Sequence, residues 1–180
     1  MTEENKISYA GFWPRLGAQL IDFLVMLPYT FFAIWLGENY RLSQLILFVP
    51  GCLFGLWLHV YLVKVYGGTP GKLALKLKIR KLDGSPADFR EAFLRYSVGF
   101  VLSTLLTISI CMVVLQMTDS EYFSYPYFSR ALVISRKGFA QDELFWLTQL
   151  WLWSEFIVMF SNKKRRAIHD YIAGTIVSTL

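Results

Sequence analysis

The few residues of this chain able to do chemistry in an apolar setting recur at one spacing. Asp22 lies seven residues past Arg15, His59 seven before Tyr66, Glu155 seven before Asn162, and Ser103 and Thr104 seven and eight past Tyr96. Each falls inside an apolar run that opens or closes near the second residue named. At ~1.5 Å of rise per helical residue, all of them would sit roughly 10 Å into their runs. Two carboxylates, an imidazole and two hydroxyls at one level suit a cation site. Na⁺ prefers oxygen ligands, a proton competes for the same carboxylates, and a second acid nearby raises a carboxyl pKa. Asp22 is expected to be the central ligand, with Glu155 as its nearest acidic neighbour and His59, whose ordinary pKa is near ~6.5, sensing or relaying the proton. The competing reading is a static polar cluster that only orients helices. Arg15 and Asp170 fall outside the apolar runs, at the membrane interface, and are expected to form an ion pair there, with Arg165 and Arg166 competing for the same acid. His169 beside Asp170 has no second ligand at helical spacing and no nucleophile near it, so neither a metal centre nor an enzyme is expected.

Elements that would position such groups follow from composition. Of 180 residues, 55% are hydrophobic, 17% aromatic and only 17% charged, against about a quarter charged in soluble domains. This is the make-up of an integral membrane protein. Four apolar runs, Leu16 to Leu36, Leu42 to about Val65, Tyr96 to Met117 and Leu144 to Phe160, approach or reach the ~17–25 residues that cross a bilayer as helix. Pro28 and Pro50 lie inside two of them, where neighbouring helices can satisfy the freed backbone groups. The expected fold is an all-α four-transmembrane-helix bundle, a single domain over residues 1–180, with a small cytoplasmic β element. Four helices barely enclose a path, so a homo-oligomer is expected.

Fourteen of the 18 Lys and Arg residues fall in the N-terminal segment, the second loop and the C-terminal segment. The positive-inside rule then puts both termini and residues 67–95 in the cytoplasm, with 37–41 and 118–143 outside. The net charge of +5 is explained by topology and contact with anionic lipids, so no nucleic-acid partner is expected. The first run is too long for a signal-peptide core and no small-residue cleavage pattern follows it, so it is expected to stay. Cys52 and Cys111 read as small apolar residues. The aromatic residues between Tyr122 and Phe128 suit a headgroup layer.

The stretch "GGTPGKLALKLKIRKLDGSPADFREAFLRY", from Gly67, is the one substantial loop. Leu73, Leu75, Leu77 and Ile79 alternate with Lys76, Lys78 and Arg80 over much of it, so a half-buried strand is expected from Leu73 to Ile79. Asp83-Gly84 marks a turn, and Pro86 to Arg95 reads as a short amphipathic interface helix before the third crossing. The β-branched tail Ala173 to Leu180 is expected to pair with the strand. Gly67 to Lys72 superficially suggests a phosphate loop, but the spacing is wrong, no apolar strand leads in and no helix is expected after it.

"AGFWPRLGAQLIDFLV", "GGTPGKLALKLKIRKLDG" and "RRAIHDYIAGTIVSTL" together resemble the RDD family of membrane proteins, mostly bacterial, named for one arginine and two aspartates. The resemblance maps the arginine to Arg15, the first aspartate to Asp22 and the second to Asp170. It implies a multi-pass protein of the bacterial inner membrane and, for some members, Na⁺/H⁺ antiport. The resulting expectation is a small secondary transporter that exchanges a monovalent cation for a proton, without a cofactor. The alternative is a membrane adaptor or assembly factor with a basic docking surface.

Overall fold

Apolar runs free of turn signals become the long helices. The computed structural model describes residues 8–179, without the side chains of Gln141 and Glu155. Helix α1 spans Phe12–Asn39, α2 Ser43–Leu56 and α5 Phe89–Gln116. Among the described residues three stretches, Phe12–Asn39, Ser43–Ala74 and Phe89–Gln116, are long and apolar enough to cross a membrane. On α1 alone Leu20, Phe23, Leu24, Phe31, Phe32 and Trp35 are exposed. An apolar surface of that extent belongs against lipid. The fourth expected crossing lies in α8, Gln141–Phe160, a helix of 20 residues. Its acids, Gln149 and three tryptophans dilute its hydropathy, and it does not stand out as the other three do.

The Ser43–Ala74 stretch is not one regular helix. After α2 the chain makes a π-helical turn over Trp57–Tyr61, resumes as α3, Leu62–Tyr66, and stops at Gly67, whose φ of +86° closes the helix in the left-handed region. Thr69 is extended, Pro70 occupies the first helical position, and α4 follows over Pro70–Ala74. Proline preset for a first turn therefore takes Leu73 out of the expected strand. Strand β1 covers Leu77–Lys81 rather than starting at Leu73. The expectation that no helix follows Gly67 to Lys72 is likewise corrected, because α4 begins within that stretch at Pro70 and runs past it to Ala74.

A second correction concerns Pro86 to Arg95. No separate interface helix forms there. Asp88 donates its backbone N–H to Glu91 Oε2 at 2.9 Å, half of a capping box, and α5 then runs unbroken from Phe89 into the apolar segment. Beyond α5, α6 (Asp119–Phe123) and α7 (Tyr127–Lys137) lead to α8, and α9 (Ile168–Ala173) leads to β2 (Thr175–Thr179). The tail pairs as its β-branched residues suggest: β2 lies antiparallel to β1, Leu77 opposite Thr179 and Lys81 opposite Thr175. Ala10 donates to Val177 O at 2.9 Å and Thr179 N to Ser8 O at 3.0 Å, so the N-terminal segment covers the other edge of β2.

The chain clusters into two compact units. Of the described residues, one comprises 8–25, 55–98 and 152–179; its core joins Ala10, Ala18, Val60, Val63, Leu77, Ile79 and Val177. Leu77 and Ile79 are buried while Lys78 and Arg80 are half-buried, the two-residue period of a one-sided strand. The other comprises Met26–Phe54 and Gly99–Trp151, with a core of Val113, Val114, Met117, Tyr122 and Ile134.

Candidate functional site

Asp170 enters α9 at its third position, and its Oδ2 accepts the Ala167 N–H at 3.1 Å, tying off an open helix end. The side chain is fully buried. Arg15, from α1, donates Nη1 to the same oxygen at 3.0 Å, Nη2 to Arg165 O at 2.7 Å and Nε to Ala10 O at 3.3 Å. Arg95, from α5, donates Nη1 to Asp170 Oδ1. Thr175, at the start of β2, donates its hydroxyl to Oδ1 at 2.9 Å. One carboxylate thus meets two guanidiniums, a hydroxyl and an amide. Arg165 and Arg166 are not its ionic partners: Arg165 offers its carbonyl to Arg15, and Arg166 spends its guanidinium on Asp170 O at 2.7 Å, Thr175 O at 3.1 Å and the Tyr171 ring. A buried charge paired on both sides is tolerated where an unpaired one is not.

Asp22 is held by different chemistry. It is half-buried on α1, its Oδ2 accepts the Thr69 hydroxyl at 2.6 Å, and its Oδ1 accepts the Gly71 N–H at 2.7 Å. Both donors come from the break between α3 and α4. Gly71 approaches α1 so closely that a Cβ there would lie 1.9 Å from Ala18 O and 3.0 Å from Asp22 Cγ. Only glycine allows that approach, and the approach brings the amide to the carboxylate. Among the described residues Asp22 makes no ion pair.

The RDD family model matches residues 9–174. The chain belongs to the RDD family. No curated protein and no solved structure matches it. In this RDD protein Arg15, Asp22 and Asp170 fasten separate pieces of chain to α1 within one unit: Arg15 takes the C-terminal segment through Asp170, and Asp22 takes the loop at Thr69 and Gly71.

The remaining expected site residues are placed individually. His59 lies in the π-helical turn, a distortion that often marks functional positions, and stacks on Tyr96 with ring centroids 4.6 Å apart. Among the described residues no hydrogen bond joins it to Asp22. Ser103 and Thr104 belong to the other unit; Ser103 is exposed and its hydroxyl donates to Phe100 O at 3.0 Å, while Thr104 Oγ1 is buried without a hydrogen-bond partner among the described residues. The Glu155 side chain lies outside the described residues. The sequence reading missed Arg95 and Thr175 around Asp170, and Thr69 and Gly71 around Asp22. Arg95 did carry a signal, since it stands immediately before an apolar run much as Arg15 does.

Asp88, just ahead of α5, braces this unit from the surface. Its carboxylate takes Lys64 Nζ at 2.7 Å and Lys81 Nζ at 2.5 Å. Those two ammonium groups, through hydrogen bonds and charge, hold the Asp88 pKa down to about 2. A carboxyl depressed on folding stabilises above its unfolded pKa, and loses that contribution as pH falls through the folded value. The brace is therefore fully present at pH 5 and above and lost as pH falls towards about 2. A carboxyl NMR titration of the folded RDD protein is expected to find Asp88 with the midpoint near 2, and replacing Lys64 and Lys81 by alanine is expected to return it towards ~3.9. An unchanged midpoint in the double variant would contradict the brace.

Proposed function

We propose that this RDD membrane protein exchanges Na⁺, or another monovalent cation, for H⁺ at Asp22. The contrast between its two internal acids carries the reading: Asp170 is neutralised by two fixed arginines, whereas Asp22 has two hydrogen-bond donors and no fixed cation among the described residues. A half-buried carboxylate in an apolar helix is costly when ionised, so a mobile cation or a proton is the natural neutralising partner. The Thr69 hydroxyl donates to Asp22 now, and on rotation it can turn a lone pair to a metal ion. The Gly71 amide can keep the other carboxylate oxygen in place. The break at Gly67 to Thr69, at the cytoplasmic end of the proposed second crossing, brings both donors to the carboxylate. Glu155 is proposed as the second carboxylate and His59 as the proton relay. The protein reconstituted in liposomes is expected to dissipate an imposed pH gradient when Na⁺, Li⁺ or K⁺ is added; no response to any of them would remove the proposal.

The proposed topology has α8 as a fourth crossing, with both termini and residues 67–95 in the bacterial cytoplasm. A cysteine introduced by Ser85→Cys is then expected to react with thiol reagents only after the membrane is opened. Labelling by an impermeant reagent on intact cells would overturn the orientation.

A specific observation favours a second reading, a membrane adaptor. Arg15, Asp22 and Asp170 all hold a loop or a terminal segment in place, and that unit carries exposed Lys76, Arg90, Lys163, Lys164 and Arg165. Such a basic surface would dock an acidic partner or anionic lipid. Dependence of ion flux on Asp22 separates the two readings.

A further inference from the structure

Arg130, on α7, is 5% exposed. It donates Nη1 to Gly37 O at 2.8 Å and Nη2 to Tyr125 O at 3.0 Å, and its guanidinium lies over the Tyr122 ring at 4.1 Å. Glu38 is close enough for its charge to act on Tyr127, but among the described residues it forms no ion pair with Arg130. Asp119 pairs with Arg41 and Glu121 with Lys137, and among the described residues no acid pairs with Arg130. Its Nε is buried and has no hydrogen-bond partner among the described residues, and the same is true of the Ser43 hydroxyl. Gly37 O cannot serve further, since it already accepts Arg130 and the Tyr122 hydroxyl at 3.2 Å. Beside Arg130 opens a cavity of about 90 Å³ lined by Gln44, Tyr122, Tyr127, Ala131 and Ser135.

An uncompensated buried guanidinium is unfavourable, and its unused Nε lies on the edge that forms a fork with Nη2, the geometry that grips a carboxylate or phosphate. Aromatic walls and the Gln44 amide add an enclosed, donor-bearing surface without adding negative charge. We propose that this cavity binds a small oxyanion, a carboxylate or phosphate group, against the Arg130 guanidinium, whose buried Nε edge turns to meet it. The cavity is large enough for one such group, and the anion supplies the counter-charge that no described acid supplies by pairing with Arg130. The same chemistry can arrive as a free anion or as the phosphate of an anionic lipid headgroup. This site lies in the unit without Asp22 and does not depend on the exchange proposal.

The test uses the full chain purified in maltoside detergent, which carries no phosphate, and follows thermal unfolding. Choline acetate and choline phosphate are titrated against choline chloride at constant ionic strength, so no metal cation competes at Asp22; phosphatidylglycerol is added in a parallel series. A saturable rise in Tm of about 5–10 °C is expected at ~100 times Kd. Saturation by acetate or phosphate identifies a free anion, and saturation by phosphatidylglycerol alone identifies a headgroup. Arg130→Gln is expected to abolish the shift. Because that variant also removes a buried tie, Ala131→Leu serves beside it: the position is exposed and lines the cavity, and the added bulk is expected to weaken binding roughly tenfold or more while the helix stays intact. The proposal is overturned if no titrant gives a saturable shift, which would leave the cavity to water, or if Ala131→Leu binds as the unsubstituted protein does.

Discussion

Asp170→Asn is expected to lower the unfolding free energy by roughly 3–5 kcal/mol, the largest loss from any single isosteric change in this protein. Asparagine keeps the shape and can still accept from Thr175 or Ala167. It removes the charge that Arg15 and Arg95 share, and both guanidiniums are nine-tenths buried. The Tm in detergent should fall by about 10 °C, at roughly 2–4 °C per kcal/mol for a chain of this size. Exchanging the charges of Arg15 and Asp170 should not rescue the fold, because it places a guanidinium against Arg95. Substantial recovery in the swapped protein would mean that Arg95 is not part of the lock.

Gly71→Ala is expected to have the second-largest effect. Its Cβ would overlap Ala18 O at 1.9 Å, and both atoms belong to backbone, so one segment must move. The five-residue α4 yields more readily than the 28-residue α1. Moving it withdraws the Gly71 amide and the Thr69 hydroxyl from Asp22. Strain and the loss of two hydrogen bonds to a carboxylate together amount to roughly 2–4 kcal/mol. The signature is local: hydrogen exchange should quicken over Gly67 to Leu75 while β1 and β2 keep their protection. Unchanged exchange in that loop would show that the close approach to α1 is not needed.

Membrane character, the pairing of the tail with β1 and the meeting of Arg15 with Asp170 were legible because each rests on a local pattern. A run of apolar residues, a period of two, and opposite charges just outside the apolar runs on the same side of the membrane can be read without knowing the fold. The partners of Asp22 were not legible. Its donors lie 47 and 49 residues away in a loop whose pattern suggests only an incomplete phosphate loop. What makes them donors is one close backbone approach, and spacing along the chain does not encode that. Counting depth placed Asp22, His59, Ser103 and Thr104 at one level. Depth alone says nothing about rotation around a helix axis, and Ser103 turned out exposed with its hydroxyl bonded back to its own helix. The start of β1 failed for a local reason: alternation from Leu73 onward was overruled by Pro70, which was already set for a helical turn.

Asp22→Asn is the direct test of exchange at Asp22. Asparagine can keep one of the two hydrogen bonds and loses or weakens the other, at a cost of about 1–2 kcal/mol, so the protein should still fold. The measurement compares Na⁺-driven dissipation of a pH gradient by the unsubstituted and Asp22→Asn proteins, reconstituted at equal density in liposomes and each first verified as folded by Tm and monodispersity. The account predicts rapid dissipation by the former and only background leak by the latter. Equal rates from the two proteins would contradict it, and would leave Asp22 as the fastener of the Thr69 to Gly71 loop alone.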